Sequence, residues 1–289
     1  MNLLSGLEKF GLSADQNMNI FDEEKKQKVQ ADNGAGQEEN IPQEEDFLLT
    51  KTVRCKICEK TYQVKQVKSG RVKRLESDQD LRPRHQYIDT LKYSVWSCPY
   101  CGYTALSRSI EDLTSVQRRL IEENICSKFK GNLQEEECAT YTYDQALDRY
   151  KLALFNCIAK KGKISERAYL CLNMSWLLRG KAEQMPNETP LDAKVIDQVK
   201  QEEQQYYEQA YEGFMKAVAT EGFPMCGMEQ STVDYLMAVM SYKLGKLETA
   251  SKFLQAILTS QSVNRRTKDK ALDLKNEIIA KIKAGKAEQ

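Results

Sequence analysis

The chain has 289 residues, 41% of them hydrophobic, enough for one large or two modest domains with a real core. No stretch approaches the run of about 18 apolar residues that crosses a bilayer, and a single histidine excludes most His-based catalysis. The formal net charge of +1 hides an asymmetry: residues 1–50 hold four lysines against eleven acids, and residues 51–110 hold thirteen basic residues against five acids.

Residues 1–46 are predicted to form a disordered acidic tail. Leu3, Leu4, Leu7 and Phe10 share one face if Asn2–Leu12 is helical. A helix of roughly a dozen residues is marginal alone in water, so this segment is expected to dock on the chain's own helices or on a partner. The acidic flank disfavours a membrane surface. From Asp22 to Asp46, Gly34, Gly36, Pro42 and many Glu, Gln and Asn leave too little apolar surface to order the backbone. The first residues lack the basic leader and apolar core of a signal peptide, and nine cysteines, an odd number, suit a reducing compartment, so the expected location is the cytoplasm.

Residues 47–106 read as a small β module of zinc-ribbon type. Cys55 and Cys58, then Cys98 and Cys101, are two Cys-x-x-Cys pairs, the spacing at which a tight knuckle turns two sulfurs onto one ion. Pro99 presets the second knuckle, and Gly102 supplies the left-handed exit it needs; the first knuckle has Glu59 at the equivalent place. Four thiolates close a tetrahedral shell and leave no position for water, so the expected cofactor is a structural Zn2+ with Cys55, Cys58, Cys98 and Cys101 as ligands. Iron also binds four thiolates, and four reduced core cysteines are the alternative to a metal. The basic charge of this stretch has three readings: phosphate binding, shielding by the acidic tail, or local compensation of the negative tetrathiolate by Arg54, Lys56 and Lys60.

The gap of 39 residues between Cys58 and Cys98 exceeds the roughly 15–20 of a minimal ribbon and has to be housed. Tyr62 and Val64, with Val72 and Leu75 beyond a Ser69-Gly70 turn, predict a hairpin, and Leu91, Tyr93 and Val95 predict a strand entering Cys98. Between them, Ser77–Thr90 reads as a polar loop holding Asp78, Asp80, Arg82, Arg84, His85 and Asp89. Its carboxylates can transfer protons, bind a cation, or tie the loop to itself. His85 as a substitute ligand is redundant beside four cysteines.

Residues 107–285 change to a helical period. Helices are predicted at about 109–130, 143–160, 165–180, 192–220, 229–244, 247–260 and 265–284, with capping boxes at Thr114/Gln117 and Thr142/Gln145 and helix ends near Gly131, Gly162, Gly180, Gly222 and Gly245. Ala146, Tyr150 and Ala153 share a small-aromatic-small spacing with Ala210, Phe214 and Ala217, and Ala250, Leu254 and Ile257 give a weaker copy preceded by Ala238 on the helix before. Small residues let paired helices approach, and the ring fills the neighbouring groove. This resembles the tetratricopeptide repeat, with insertions around Pro186–Pro190; a plain bundle is the alternative. Tyrosines 143, 150, 206, 207, 211, 235 and 242 can line a concave groove or fill the core, and Trp96 and Trp176 are expected to pack at the module and within a helix pair. Cys126, Cys138, Cys157, Cys171 and Cys226 are expected as small core residues.

Lys51-Thr52-Val53 before Cys55 and Cys58, the loop residues Asp78, Asp80 and Pro83, then Tyr93 and Val95-Trp96-Ser97-Cys98-Pro99-Tyr100-Cys101-Gly102-Tyr103 occur together in one order. Across residues 48–260 the chain resembles a bacterial family of uncharacterised proteins, a domain of unknown function in which a split cysteine-pair zinc module precedes tetratricopeptide-like helices. The resemblance implies a metal-binding cytoplasmic protein with a peptide-binding type of scaffold and no assigned reaction.

No phosphate loop, dinucleotide fingerprint, His-Glu-x-x-His or Gly-x-Ser-x-Gly is present. The expected fold is mostly α, a tetratricopeptide-like solenoid preceded by the zinc module and the tail. The expected function is protein or peptide binding as an adaptor, ahead of nucleic-acid binding through the basic module and of a hydrolase centred on Asp78 and Asp80.

Overall fold

The computed structural model describes residues 42–130, 138–186 and 189–287. The expectations placed on residues 1–41 and on Gly131 lie outside the described residues. Two antiparallel hairpins lead: β1 (Leu48–Arg54) pairs with β2 (Thr61–Val67), and β3 (Val95–Ser97) with β4 (Thr104–Leu106). On β2, Tyr62 and Val64 turn inward while Thr61 and Gln63 face solvent, the alternation a half-buried strand imposes.

The pairing differs from the spacing-based expectation. The partner of Tyr62 and Val64 is the upstream strand, in a ladder running from Leu48–Val67 to Arg54–Thr61, and not Val72 and Leu75. A turn does form at 68–71, closed by Arg71 N–H to the Lys68 carbonyl, but beyond it only an isolated bridge joins Arg74 to His85. Leu91 and Tyr93 do not alternate on a strand. Both are buried on a 3-10 turn (Thr90–Tyr93), started by Asp89, whose carboxylate accepts from Leu91 N–H.

Seven helices follow among the described residues: α1 (Ser115–Ile121), α2 (Tyr143–Ala159), α3 (Ile164–Gln184), α4 (Pro190–Thr220), α5 (Gln230–Lys243), α6 (Leu247–Thr259) and α7 (Arg265–Ala287). Thr114/Gln117 and Thr142/Gln145 both form full capping boxes. The first helix starts at that cap rather than at 109, and at Glu122–Cys126 it loosens into a π turn. Helix α4 begins two residues before the predicted start, because Thr189 and Asp192 cap it reciprocally and Pro190 takes the first turn, where no N–H is needed.

Gly180 is not a helix end. It lies inside α3, where a Cβ would meet Arg82 Nη2 at 2.7 Å, the Tyr143 hydroxyl at 2.8 Å and Asp89 Oδ2 at 2.9 Å. The missing side chain admits a charged cluster against the helix backbone, at a propensity cost of about 1 kcal/mol.

Helix α3 packs on α4 and α5 on α6; α7 covers α5 and α6, and α2 lies between α3 and the β3–β4 hairpin. Ala146, Tyr150, Ala153, Ala210, Phe214, Ala217, Ala250, Leu254 and Ile257 are all at most 1% exposed, and Ala238 is fully buried. Each such Leu- or Phe-sized side chain contributes roughly 1.5–3 kcal/mol. Tyr150, Tyr207, Tyr211 and Tyr235 are buried, so four of the seven helical tyrosines fill core rather than line a groove. No helix among the described residues is long and apolar enough to cross a membrane.

Candidate metal centre

Each hairpin turns through a cysteine pair, and the two turns share one backbone pattern. Cys55 N–H donates to the Lys60 carbonyl (2.9 Å) and Glu59 N–H to the Cys55 carbonyl (3.1 Å). In the second turn Cys98 N–H donates to Tyr103 (2.8 Å) and Gly102 N–H to Cys98 (3.0 Å). Both exits are left-handed, with φ of 61° at Glu59 and 76° at Gly102. At Gly102 a Cβ would also strike the Phe129 ring at 2.5 Å. Glu59 is in contact with Arg54, whose Nη2 meets the carboxylate at 2.7 Å and whose Nε donates to the Glu59 carbonyl at 3.2 Å.

Glu59→Gly is therefore expected to stabilise the protein by about 0.5–1 kcal/mol. A left-handed non-glycine residue costs roughly 1–2 kcal/mol, whereas an exposed ion pair returns little. Chemical denaturation of the metal-loaded protein checks this, and a loss of stability would show that Arg54 holds the knuckle.

The four sulfurs converge. Cys55 Sγ lies 3.6 Å from Cys101 Sγ and Cys58 Sγ 3.6 Å from Cys98 Sγ, with all four within 4.8 Å of one another. A tetrahedron of sulfurs about 2.3 Å from its centre has edges of about 3.8 Å, so the donor set fits one ion and could hold a metal. Cys55, Cys98 and Cys101 are buried and Cys58 half-buried. Ile57 N–H points at Cys55 Sγ from 3.4 Å, a contact that favours thiolate. Hydrogen bonding with Cys101 is the main force holding Cys55 far below the usual thiol range, and the same contact drives Cys101 far above it. Sulfurs this close cannot all ionise unless a cation shares their charge.

The centre is built into the surrounding core. Tyr62, Val64, Trp96 and Tyr103 pack around it with Ile110, Ile121 and Ile125. Asn156 on α2 donates to the Gly102 carbonyl at 3.0 Å, and the Tyr103 hydroxyl donates to Ile110 at 2.8 Å. Cys126, on the π turn, packs against the same cluster, a placement its sequence position does not signal. Nearby cations are engaged locally: Lys56 with Glu111 at 3.5 Å, Lys60 over the Tyr100 ring and Lys51 over Trp96. His85 is not among the clustered donors; its Nδ1 sits 3.2 Å from Thr90 Oγ1.

The polar loop forms a second cluster, away from the sulfurs in character as well as in its partners. Asp80 is fully buried, receiving Arg179 Nη1 and Nη2 at 3.1 and 2.9 Å and Lys243 Nζ at 2.9 Å. Asp78 accepts from Arg84 Nε at 2.7 Å and from Arg179 at 3.2 Å, and Arg82 and Arg84 both reach Glu183. Burial alone would raise the Asp80 carboxyl, but Arg179 and Lys243 outweigh it and bring it down to about 2. Arg179, Glu183 and Lys243 escape sequence reasoning because they lie on α3 and α5, about a hundred residues or more from the loop. Trp176 is buried in the main core, edge-on to Tyr169.

Residues 48–278 match the family described as "Uncharacterized protein conserved in bacteria (DUF2225)". No curated protein and no solved structure matches the chain. The chain belongs to that bacterial family.

Proposed function

We propose that this member of the DUF2225 family is a cytoplasmic zinc-binding adaptor: a structural Zn2+ held by Cys55, Cys58, Cys98 and Cys101 braces a tetratricopeptide-like helical array that takes a protein or peptide partner. The observation that carries the reading is the set of four sulfurs at tetrahedral spacing, drawn from two hairpins and packed on α2. Such a shell has no open coordination position, so the ion's work is to fix the module against the helices. The paired helices α3–α4 and α5–α6, with small and aromatic residues at their contacts, support the repeat-like scaffold.

A binding role is favoured over catalysis because the one dense group of acids is already satisfied. A carboxyl held near 2 by two cations is a poor proton acceptor or donor at neutral pH. Phosphate binding is disfavoured because Arg54, Lys56, Arg82, Arg84 and Lys92 each face a carboxylate of this chain. Affinity capture from the native host, with the intact chain beside one lacking residues 1–46, is expected to yield a stoichiometric protein partner. Its complex should weaken only modestly between low and high salt, since a few carboxylate contacts beside an apolar anchor, unlike a phosphate track, release few counterions. Recovery of nucleic acid instead, with steep salt dependence, would replace this reading.

A further inference from the structure

The strap between the two cysteine pairs also walls a cleft of about 710 Å³ that faces α3, α5 and the start of α7. Its floor is apolar: Leu81 from the strap, Trp176 from α3 and Met228 ahead of α5. Leu81 is held at a φ of 69°, a conformation that costs a branched residue energy, and it packs against both the main core and the α5–α7 core. The adjoining Asp80, clamped by Arg179 and Lys243, fixes the strap there.

The rim is cationic. Arg74 comes from the strap, and Arg266 and Lys270 from the first turns of α7, against the single carboxylate of Glu76. None of the three cations has a carboxylate partner among the described residues, whereas Arg82, Arg84, Arg179 and Lys243 on the other side of the strap are all ion-paired. Lys270 rests on the Tyr235 ring, which leaves its charge uncancelled. Trp176 is 3% exposed, and its indole N–H has no acceptor among the described residues.

We propose that this cleft binds an acidic peptide segment of a partner protein, seating one apolar side chain on Leu81 and Met228 beside Trp176, with flanking carboxylates on Arg74, Arg266 and Lys270. The inference rests on the adaptor reading and names its contact surface. A pocket of this size buries a few side chains. Three cations around an apolar floor, with Glu76 in the wall, suit carboxylates beside a hydrophobic anchor better than a continuous phosphate track.

The test uses the full-length, metal-loaded protein and fluorescein-labelled peptides in which Glu residues flank one Phe, beside Phe→Ala and Glu→Gln versions and a single-stranded oligothymidine. The Glu/Phe peptide is expected to bind saturably and to shift Trp176 emission in a Trp96→Phe background. Arg266→Glu with Lys270→Glu is expected to weaken it about tenfold or more, at unchanged metal content and melting temperature. Phe→Ala and Glu→Gln should weaken it as well. Absence of saturable binding, or binding indifferent to the charge reversal, overturns the proposal. So does oligothymidine binding that the same reversal abolishes. A native partner whose capture is unaffected by Arg266→Glu/Lys270→Glu would overturn the cleft while leaving the adaptor reading in place.

Discussion

Cys98→Ser is expected to empty the metal site and to lower the thermal midpoint on the order of 10 °C. Cys98 is fully buried, and its sulfur faces Cys58 of the other hairpin at 3.6 Å, so it helps join the two hairpins. A serine hydroxyl is a poor donor to a thiophilic ion, and the three remaining thiols would be left clustered without a cation. An ion held there would close a chain loop of 39 residues, and its binding energy would be folding energy for whatever it joins. A loss of roughly 4 kcal/mol, at about 2–4 °C per kcal/mol for a chain of this size, gives the stated shift. Because the donors must be thiolates, stabilisation by a bound metal would grow as pH rises and fade as acid protonates them. Elemental analysis and calorimetry of untagged protein check this, with Cys126→Ser as a neighbour that should keep both metal and midpoint. Full metal content in Cys98→Ser, or an unshifted melt, would remove the basis for a structural ion.

The cysteine pairs were legible because a knuckle is local: two donors and a turn within a few residues. The pairing of the strands around them was not, because the turn closing each hairpin is the knuckle itself. Glu59 does there what Gly102 does in the second copy, and a glutamate carries no turn signal. Ser69-Gly70, which does carry one, closes a turn that leads to no ladder. The helix caps at Thr114 and Thr142 were legible, the Thr189 cap that starts α4 was missed, and helix form was illegible where it depends on neighbours. Gly180 is the clearest case. Its sequence context suggests a stop, yet it is an interior residue kept small so that Arg82, Tyr143 and Asp89 can crowd the helix. The charged loop had the right composition for a site, but its meaning lies in Arg179, Glu183 and Lys243 on distant helices, which convert a candidate for proton transfer into a set of clamps.

That conversion has a measurable consequence in Asp80→Asn. The substitution keeps the shape and removes the charge, leaving Arg179 and Lys243, at 18% and 34% side-chain exposure, facing a neutral amide. Breaking one side of a buried ion pair costs about 3–5 kcal/mol, so the midpoint should fall on the order of 10 °C with metal content intact. The direction with pH separates a clamp from a catalytic acid. The folded carboxyl is depressed from 3.8 to about 2, so its contribution is fully present above the unfolded value and is lost only as pH falls from about 3.8 through about 2. The stability gap between wild type and Asp80→Asn should therefore stay flat from about pH 8 to about pH 5. A gap that closes already within that range would mean a carboxyl that takes up its proton near neutrality, the behaviour of a general acid. It would return the Asp78–Asp89 loop to consideration as a reacting centre. A flat gap would leave the loop as the brace that holds Leu81 and the rim of the cleft in place.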